Sequence, residues 1–307
     1  MALIVSPAAL PAFAQSAVIP RTADGKPDMQ GYWSAESLTP LERPDGFTAL
    51  VIPADQAAAA VEKMMPKFGE VYDPELEYNF PRVLMQMNGE YRSSLIVEPA
   101  DGKLPYTSLA RATIERFKNN FDDPEMRPGP ERCVDSFNHP PIRPVGHLVP
   151  YQVVQTPGAI MIAAEDMDPA RIIRIGEAST PAAIRTRAGI AKGRWDGDTL
   201  VVETDHIDVT HPYGVLWRDA ALVTEDSRII ERFRPLTADS ILYQFTVEDP
   251  SLYTAPWLAE YVLTRNARPA YEYACHEGNH SLIGILTAAR MGRQEPPAKP
   301  AATPPAN

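Results

Sequence analysis

Alternation of hydrophobic and polar positions is the dominant pattern in the second half of the chain. Within 240–249 and again within 257–264, nearly every second residue is apolar. A period of two predicts strands that turn one face to a core and the other to a wetter environment. Short segments of similar character predict further strands at 151–155, 159–164, 171–175, 189–195, 199–205 and 224–234.

Short turns join most of these strands. Asp196-Gly197 is a hairpin signal, because Asp-Gly supplies the positive φ angles of a tight primed turn. About eight strands joined in this way predict an antiparallel meander, and closing it into a barrel removes its unpaired edges. Gly31-Tyr32-Trp33 has the Gly-x-Trp form seen at the first strand of lipocalin-type barrels. We therefore expect a mainly β, lipocalin- or calycin-like barrel.

Helices and long loops are expected at the periphery of this barrel. Three helices are predicted: 53–66, 107–117 with Thr107 as its cap, and 279–290 with Asn279 as its cap. Residues 121–150 are irregular and proline-rich, and a loop of that length usually has a function. The expected layout is one domain over 21–293 with N-terminal helical and loop additions, then a disordered Pro/Ala tail at 294–307.

The beginning of the chain predicts export. Residues 1–20 contain an apolar run and Ala12-Phe13-Ala14, the small-x-small form that signal peptidase accepts. This segment indicates a signal-peptide remnant and a periplasmic or secreted protein. The two cysteines, Cys133 and Cys275, are then expected to form a disulfide, because the compartment is oxidising. A reactive thiol is the alternative, but no basic residue flanks Cys275 to favour a thiolate.

Charge and absent motifs exclude several function classes. The chain has 40 acidic and 29 basic residues and a formal charge of −11, which argues against nucleic acid or an anionic membrane surface as a partner. No window approaches the roughly 18 apolar residues of a membrane span. Dinucleotide, P-loop, serine-elbow and c-type haem motifs are all missing, so no cofactor is predicted. The oligomeric state is left open.

The sharpest motif is His276-Glu277-Gly278-Asn279-His280, a literal His-Glu-x-x-His. In zinc metalloproteases this motif works because both histidines lie on one helix face. Here Gly278 and Asn279 are weak helix formers, and Asn279 is the expected cap of the next helix. We therefore expect His276 in a turn beside Cys275, lining a pocket, and keep a zinc hydrolase using His276 and His280 as the third functional candidate.

Glu231 is the principal candidate for acid/base chemistry. It shares a strand face with Ile229 and Phe233, so it lies inside the barrel if that face is the inner one. A carboxylate in an apolar interior has its pKa raised toward the range that proton transfer needs. The alternative is a structural ion pair with an inward arginine such as Arg174. The sequence leaves both readings open.

Histidines and aromatic residues near strand ends complete the candidate site. Two His and two Asp lie within 205–211, where they could bind a metal, pair a His base with a carboxylate, or simply form a polar loop. Among the histidines, His147 and His211 are expected to assist catalysis by Glu231 or His276. The residues expected to shape the substrate cavity are Tyr151, Trp217, Tyr243 and Tyr261.

Four blocks spread over the chain resemble a family of exported bacterial proteins to which no activity is assigned. The blocks are Arg-Thr-Ala-Asp-Gly-Lys-Pro-Asp at 21–28, Ser-Leu-Ile-Val-Glu-Pro with Asp-Gly at 94–102, Gly-Arg-Trp-Asp-Gly-Asp-Thr-Leu-Val-Val at 193–202, and Tyr-Glu-Tyr-Ala-Cys-His-Glu-Gly-Asn at 271–279. Members of that family often carry Tyr at the position of His280, which counts against a zinc site there.

These observations together predict a cofactor-independent enzyme. It would bind a small hydrophobic, aromatic molecule in the barrel cavity and act by acid/base chemistry as a lyase, isomerase or hydrolase. The rival from another class is a non-catalytic ligand carrier of the lipocalin type. A polar pair facing across the interior favours the enzyme, and an interior without titratable groups favours the carrier.

Overall fold

The computed structural model describes most of the expected domain. Its described residues are 18–65, 82–120, 123–126, 132–133, 140–142, 146–165, 170–176, 183–208, 215–216 and 219–294. Most of the expected signal segment and the tail after residue 294 lie outside these ranges.

Strands make up most of the regular structure. They are β1 (Gly31–Ala35), β2 (Val51–Ile52), β3 (Gln86–Met87), β4 (Glu90–Arg92), β5 (Ile96–Glu98), β6 (Gly146–Gln155), β7 (Ala159–Ala164), β8 (Arg171–Ile175), β9 (Ile190–Asp196), β10 (Thr199–Asp205), β11 (Val215–Leu216), β12 (Asp219–Ala220), β13 (Arg228–Thr237), β14 (Ser240–Glu248) and β15 (Trp257–Arg265). The helices are α1 (Ala57–Met64), α2 (Ser108–Lys118), α3 (Cys275–Gly278) and α4 (His280–Gln294).

Nine of the strands close into a barrel, which confirms the predicted fold class. Their order is β1-β6-β7-β8-β9-β10-β13-β14-β15, and β15 returns to β1 where Arg265 pairs with Trp33. The neighbours are antiparallel except β8 and β9, which run parallel. This exception departs from the predicted meander, in which all neighbouring strands run antiparallel.

The two ends of the barrel differ in the length of their connections. At one end, which we call the turn end, β6–β7, β9–β10 and β13–β14 are joined by tight turns. Gly197 has the positive φ of 58° that the predicted Asp-Gly hairpin needs. At the opposite end, which we call the loop end, β1 and β10 end and β6 and β13 begin, and long stretches of sequence separate β1 from β6 and β10 from β13. Functional residues concentrate on such loops, so the loop end is where a site is expected.

The barrel interior is a continuous hydrophobic core. Inward side chains alternate with outward ones on each long strand, as on β15, where Trp257, Ala259, Tyr261 and Leu263 are buried. Outside the barrel, β2, β4 and β3 form a small sheet, and α1 packs on a separate apolar cluster that includes Leu38 and Ile52.

Two predicted helix caps and the disulfide are confirmed. Thr107 Oγ1 accepts a hydrogen bond from the Ala110 N–H at 3.2 Å, and Asn279 Oδ1 accepts one from the Leu282 N–H at 3.0 Å. Cys133 and Cys275 are bonded at an S–S distance of 2.00 Å and enclose a sequence separation of 142 residues.

Within the described ranges, every helix falls short of the length and apolar character that a membrane-spanning helix requires.

Candidate functional site

An ion pair crosses the interior of the barrel. Glu231 on β13 is fully buried and lies on the inward face, together with Ile229 and Phe233. The guanidinium of Arg171, at the start of β8, meets both carboxylate oxygens: Nη1 is 3.1 Å from Oε1, and Nη2 contacts Oε2. Arg171 is 2% exposed, so the pair is shielded from water. Arg174, the partner suggested by the sequence, is exposed on the outer face.

Tyr243 extends this pair into a chain of hydrogen bonds. Its hydroxyl donates to Glu231 Oε1 at 2.7 Å and accepts from the backbone N–H of Ile142 at 2.9 Å. The hydroxyl of Tyr261, on the next strand, donates to the carbonyl oxygen of Ile142 at 2.7 Å. The polar groups thus run from Arg171 through Glu231 and Tyr243 to the backbone of Ile142 in the long proline-rich loop.

Burial and charge determine the protonation states of Tyr243 and Arg171 in this series of hydrogen bonds. Burial raises the pKa of Tyr243 well above its ordinary value, and the nearby negative charge of Glu231 raises it further. Burial alone would lower the pKa of Arg171, but the charge and hydrogen bonds of Glu231 outweigh burial and raise it. At neutral pH Tyr243 is therefore a protonated donor and Arg171 is a cation.

Aromatic rings surround the polar chain. The ring centroid of Tyr243 lies 4.8 Å from that of Phe233, 5.0 Å from that of Tyr261 and 5.6 Å from that of Phe245. Such spacings are typical of tilted and edge-on aromatic contacts. Within the described part of the barrel, the Nε–H of Arg171 is a buried donor without a hydrogen-bond acceptor.

A small apolar cavity lies beside this cluster, toward the turn end. Its volume is about 10 Å³, which is room for roughly one water molecule. The walls include Trp33, Ile142, Tyr151 and Phe233. An aromatic ring does not fit into such a space. Around this cavity the described side chains pack closely against one another.

The structure brings some predicted site residues together and leaves others apart. Tyr151, Tyr243 and Tyr261 are all buried inside the barrel with Glu231. His276 is exposed in α3, outside the barrel. The backbone of His147 belongs to β6 near the loop end, but its side chain lies outside the described atoms. The other two predicted residues, His211 and Trp217, lie outside the described ranges.

A histidine–carboxylate pair that the sequence only hinted at lies at the loop end. His206 Nδ1 is 2.7 Å from Asp205 Oδ1; Asp205 is the last residue of β10, and His206 follows it. His206 has a positive φ of 54°, which is unusual for a non-glycine residue. Backbone bonds between the Thr186 N–H and the His206 carbonyl, and between the Asp208 N–H and the Thr186 carbonyl, hold this conformation. The cluster at 205–211 was the available signal, but it did not show which histidine pairs.

The His-Glu-x-x-His motif is divided between two helices. The helix α3 ends at Gly278 and α4 begins at His280, with Asn279 non-helical at φ −84° and ψ 70°. His276 and His280 are therefore not one turn apart on a continuous helix, as a metalloprotease needs. Among the residues that the structure describes, no group of three or more His, Cys, Asp or Glu side chains is placed to hold a metal ion.

No protein-family model and no curated protein sequence matches this chain. The chemistry of the site is accordingly inferred from its geometry.

Proposed function

We propose that this protein is an exported, cofactor-independent enzyme that binds a small hydrophobic, aromatic molecule and transforms it by acid/base chemistry, as a lyase, isomerase or hydrolase. The observation that carries the proposal is the hydrogen-bonded chain of Arg171, Glu231 and Tyr243 inside an aromatic interior. Buried ion pairs can often be replaced by apolar residues without loss of stability, so stability alone does not account for this one.

Each of the three hydrogen-bonded side chains has a role in this proposal. Tyr243, which is protonated at neutral pH and hydrogen-bonded to Glu231, is the proposed proton donor. Glu231 orients the Tyr243 hydroxyl by accepting its hydrogen bond. Arg171 keeps Glu231 paired, and its Nε–H is a donor for a carbonyl or carboxylate of the substrate. His147, whose backbone belongs to β6, and His211 are the proposed assisting groups.

Export is part of the same proposal. A disulfide between Cys133 and Cys275 suits an oxidising compartment, because thiols are kept reduced in the cytosol. The apolar segment within 1–20 supports a periplasmic or secreted location.

The second candidate is a non-catalytic carrier of the lipocalin type. The specific observation in its favour is that both oxygens of Glu231 are already occupied, by Arg171 and by Tyr243. A carboxylate satisfied in this way also fits a purely structural cluster. A carrier would bind the aromatic compound and release it unchanged.

One experiment separates these two functions. Purified mature protein is incubated with a panel of aryl ethers, aryl esters and aryl ketones, and products are followed by liquid chromatography with mass spectrometry. We expect conversion of at least one class and a loss of roughly a hundredfold or more in Glu231→Gln, in line with acid/base contributions. The control is Glu203→Gln, which alters an ion pair with Arg228 on the outer face of the barrel.

Each outcome of this experiment supports or removes the enzyme or the carrier. Conversion that Glu231→Gln leaves unchanged removes Glu231 from the chemistry. Saturable binding without conversion establishes the carrier. Neither binding nor conversion over the panel removes both candidates.

A further inference from the structure

The long proline-rich loop inserts one of its residues, Ile142, into the barrel. Ile142 is 1% exposed, and Pro140 and Pro141 beside it are also buried. Connecting segments normally run over the surface, because their backbone groups need partners. Here the partners are two tyrosine hydroxyls from neighbouring strands: Tyr243 meets the Ile142 N–H, and Tyr261 meets the Ile142 carbonyl.

The two tyrosine hydroxyls together bind one hydrogen-bond donor and one acceptor. Tyr243 accepts at 2.9 Å and Tyr261 donates at 2.7 Å, so the two side chains read one donor and one acceptor that are close together. On the apolar side, the Ile142 side chain borders the cavity that Trp33 and Tyr151 also line. Ile142 therefore presents its polar backbone groups and its apolar side chain to the interior. A small amphipathic ligand combines polar and apolar groups in the same way.

We propose that the space filled by Ile142 is the ligand site of this barrel, and that the loop residues 140–142 are an internal occupant that a ligand displaces. The ligand class is a small aromatic compound with adjacent hydrogen-bond donor and acceptor groups, such as an aryl amide or a hydroxyaryl ketone. Its ring would take the place of the Ile142 side chain beside Trp33 and Tyr151, and its polar edge would meet Tyr243 and Tyr261. This inference rests on the proposed function, since it names that function's site and substrate class.

The location agrees with the proposed chemistry. Tyr243 already donates to Glu231, which Arg171 holds from the other side. Once Ile142 leaves, the Tyr243 hydroxyl faces the ligand directly, with the charged pair behind it. The occupant thus explains how a fully buried proton donor becomes accessible only when a ligand is present.

Tyr261→Phe tests the occupant without removing the polar chain to Arg171. The change deletes the hydrogen bond to the Ile142 carbonyl, so the occupant leaves more easily. Benzene is the probe, because it makes no hydrogen bond to either tyrosine and reports only on access. Its apparent affinity rises with the fraction of protein in the open state. We expect the dissociation constant for benzene to fall roughly two- to tenfold, the range that one net hydrogen bond allows.

Tyr253→Phe is the matched control. Tyr253 is another buried tyrosine whose hydroxyl donates to a backbone carbonyl, that of Leu222, at 2.8 Å. It should destabilise the barrel in a similar way but leave benzene affinity at the wild-type value. Amide hydrogen exchange at Ile142 is the second readout and should accelerate in Tyr261→Phe but not in Tyr253→Phe. Ile142→Val is a second variant, which trims the occupant, keeps both hydrogen bonds and should also bind benzene more tightly.

The outcomes separate the two proposals. Equal benzene affinity in wild type, Tyr261→Phe and Ile142→Val overturns the occupant, even if the wild type converts an aromatic substrate and the proposed function stands. Ile142 exchange that responds equally to Tyr261→Phe and Tyr253→Phe also overturns it. Tighter benzene binding with no conversion of the aryl panel supports the site and removes the enzyme.

Discussion

The hydroxyl of Tyr243 donates a hydrogen bond of 2.7 Å to Glu231 from a diagonal position on the neighbouring strand. Glu231 is directly opposite Phe245, and Tyr243 is two residues from Phe245 on the same inward face of β14. Diagonal side chains of this kind are within reach when one of them is a long aromatic residue. The register of β13 and β14 therefore creates the contact. A shift of one strand by one residue would place Glu231 and Tyr243 on opposite faces of the sheet.

Glu231→Ala is expected to destabilise the barrel by about 3–5 kcal/mol, because it leaves the buried charge of Arg171 without a partner. Urea denaturation followed by tryptophan fluorescence measures this free energy of unfolding. The surface control is Glu203→Ala, which removes a 2.8 Å ion pair with the half-exposed Arg228 and should cost less than about 1 kcal/mol.

A double variant, Arg171→Met with Glu231→Leu, should recover most of that loss, since both charges leave the interior together. Equal destabilisation by Glu231→Ala and Glu203→Ala would contradict a buried, mutually dependent pair.

How much of this could be predicted from the sequence depends on the distance over which each signal acts. Alternation within one strand is local, and the predicted bounds at 159–164, 171–175 and 199–205 coincide with β7, β8 and β10. Arg171-Ile172-Ile173-Arg174 shows the limit of that signal, because two isoleucines between two arginines allow either register. The structure buries Arg171 and Ile173 and leaves Ile172 51% exposed.

The candidate site depended on contacts between distant segments, which periodicity does not report. Arg171 and Glu231 are 60 residues apart, and Tyr261 and Ile142 are 119 residues apart. Nothing in the pattern of 121–150 indicated that one of its residues would enter the barrel. The filled interior follows from that insertion and from the packing of large inward side chains, neither of which a one-dimensional pattern specifies.

Removal of the disulfide by Cys133→Ser with Cys275→Ser is expected to lower stability by about 4–5 kcal/mol in the chain-entropy model, because the bond closes a long loop. Thermal unfolding of oxidised wild type, reduced wild type and the double variant measures this. The reduced protein and the variant should agree. A variant as stable as the oxidised protein would show that the denatured chain gains little freedom when this bond is lost.

Asp249 gives the fold an acid-sensitive contact at the loop end. Burial alone would raise its pKa, but hydrogen bonds lower the pKa below the ordinary value. The donors are the hydroxyls of Thr224, Ser227 and Ser251, each at 2.6 Å. Since the folded pKa is lower than the unfolded one, this stabilisation is present above the unfolded pKa of about 4 and is lost as pH falls through the folded pKa.

Asp249→Asn should therefore flatten the stability profile between roughly pH 5 and pH 2, relative to wild type. Chemical denaturation at closely spaced pH values measures the slope. Asp45→Asn is the control, because Asp45 is fully exposed, and it should leave the acid slope as in wild type. A parallel acid slope in wild type and Asp249→Asn is the result that contradicts this assignment.

Protein purified without a histidine tag is expected to hold less than about 0.1 equivalents of zinc, because the His-Glu-x-x-His motif is broken between α3 and α4. Inductively coupled plasma mass spectrometry measures the content before and after dialysis against zinc. His276→Ala should then leave zinc content and thermal stability unchanged. One equivalent of zinc that is lost in His276→Ala would contradict this expectation and favour the zinc hydrolase.

Substitutions of His206 can separate the effect of its left-handed backbone from the effect of its imidazole side chain. At a φ of 54°, an alanine carries the steric cost of a left-handed residue, whereas a glycine does not. His206→Gly is thus expected to be more stable than His206→Ala by about 1 kcal/mol, measured by thermal unfolding. Both variants lack the imidazole beside Asp205, so a role of this pair in turnover predicts an equal loss in the two despite their different stabilities. Turnover that instead follows stability across the two variants would assign His206 a structural role only, because activity would then depend on the backbone and not on the imidazole.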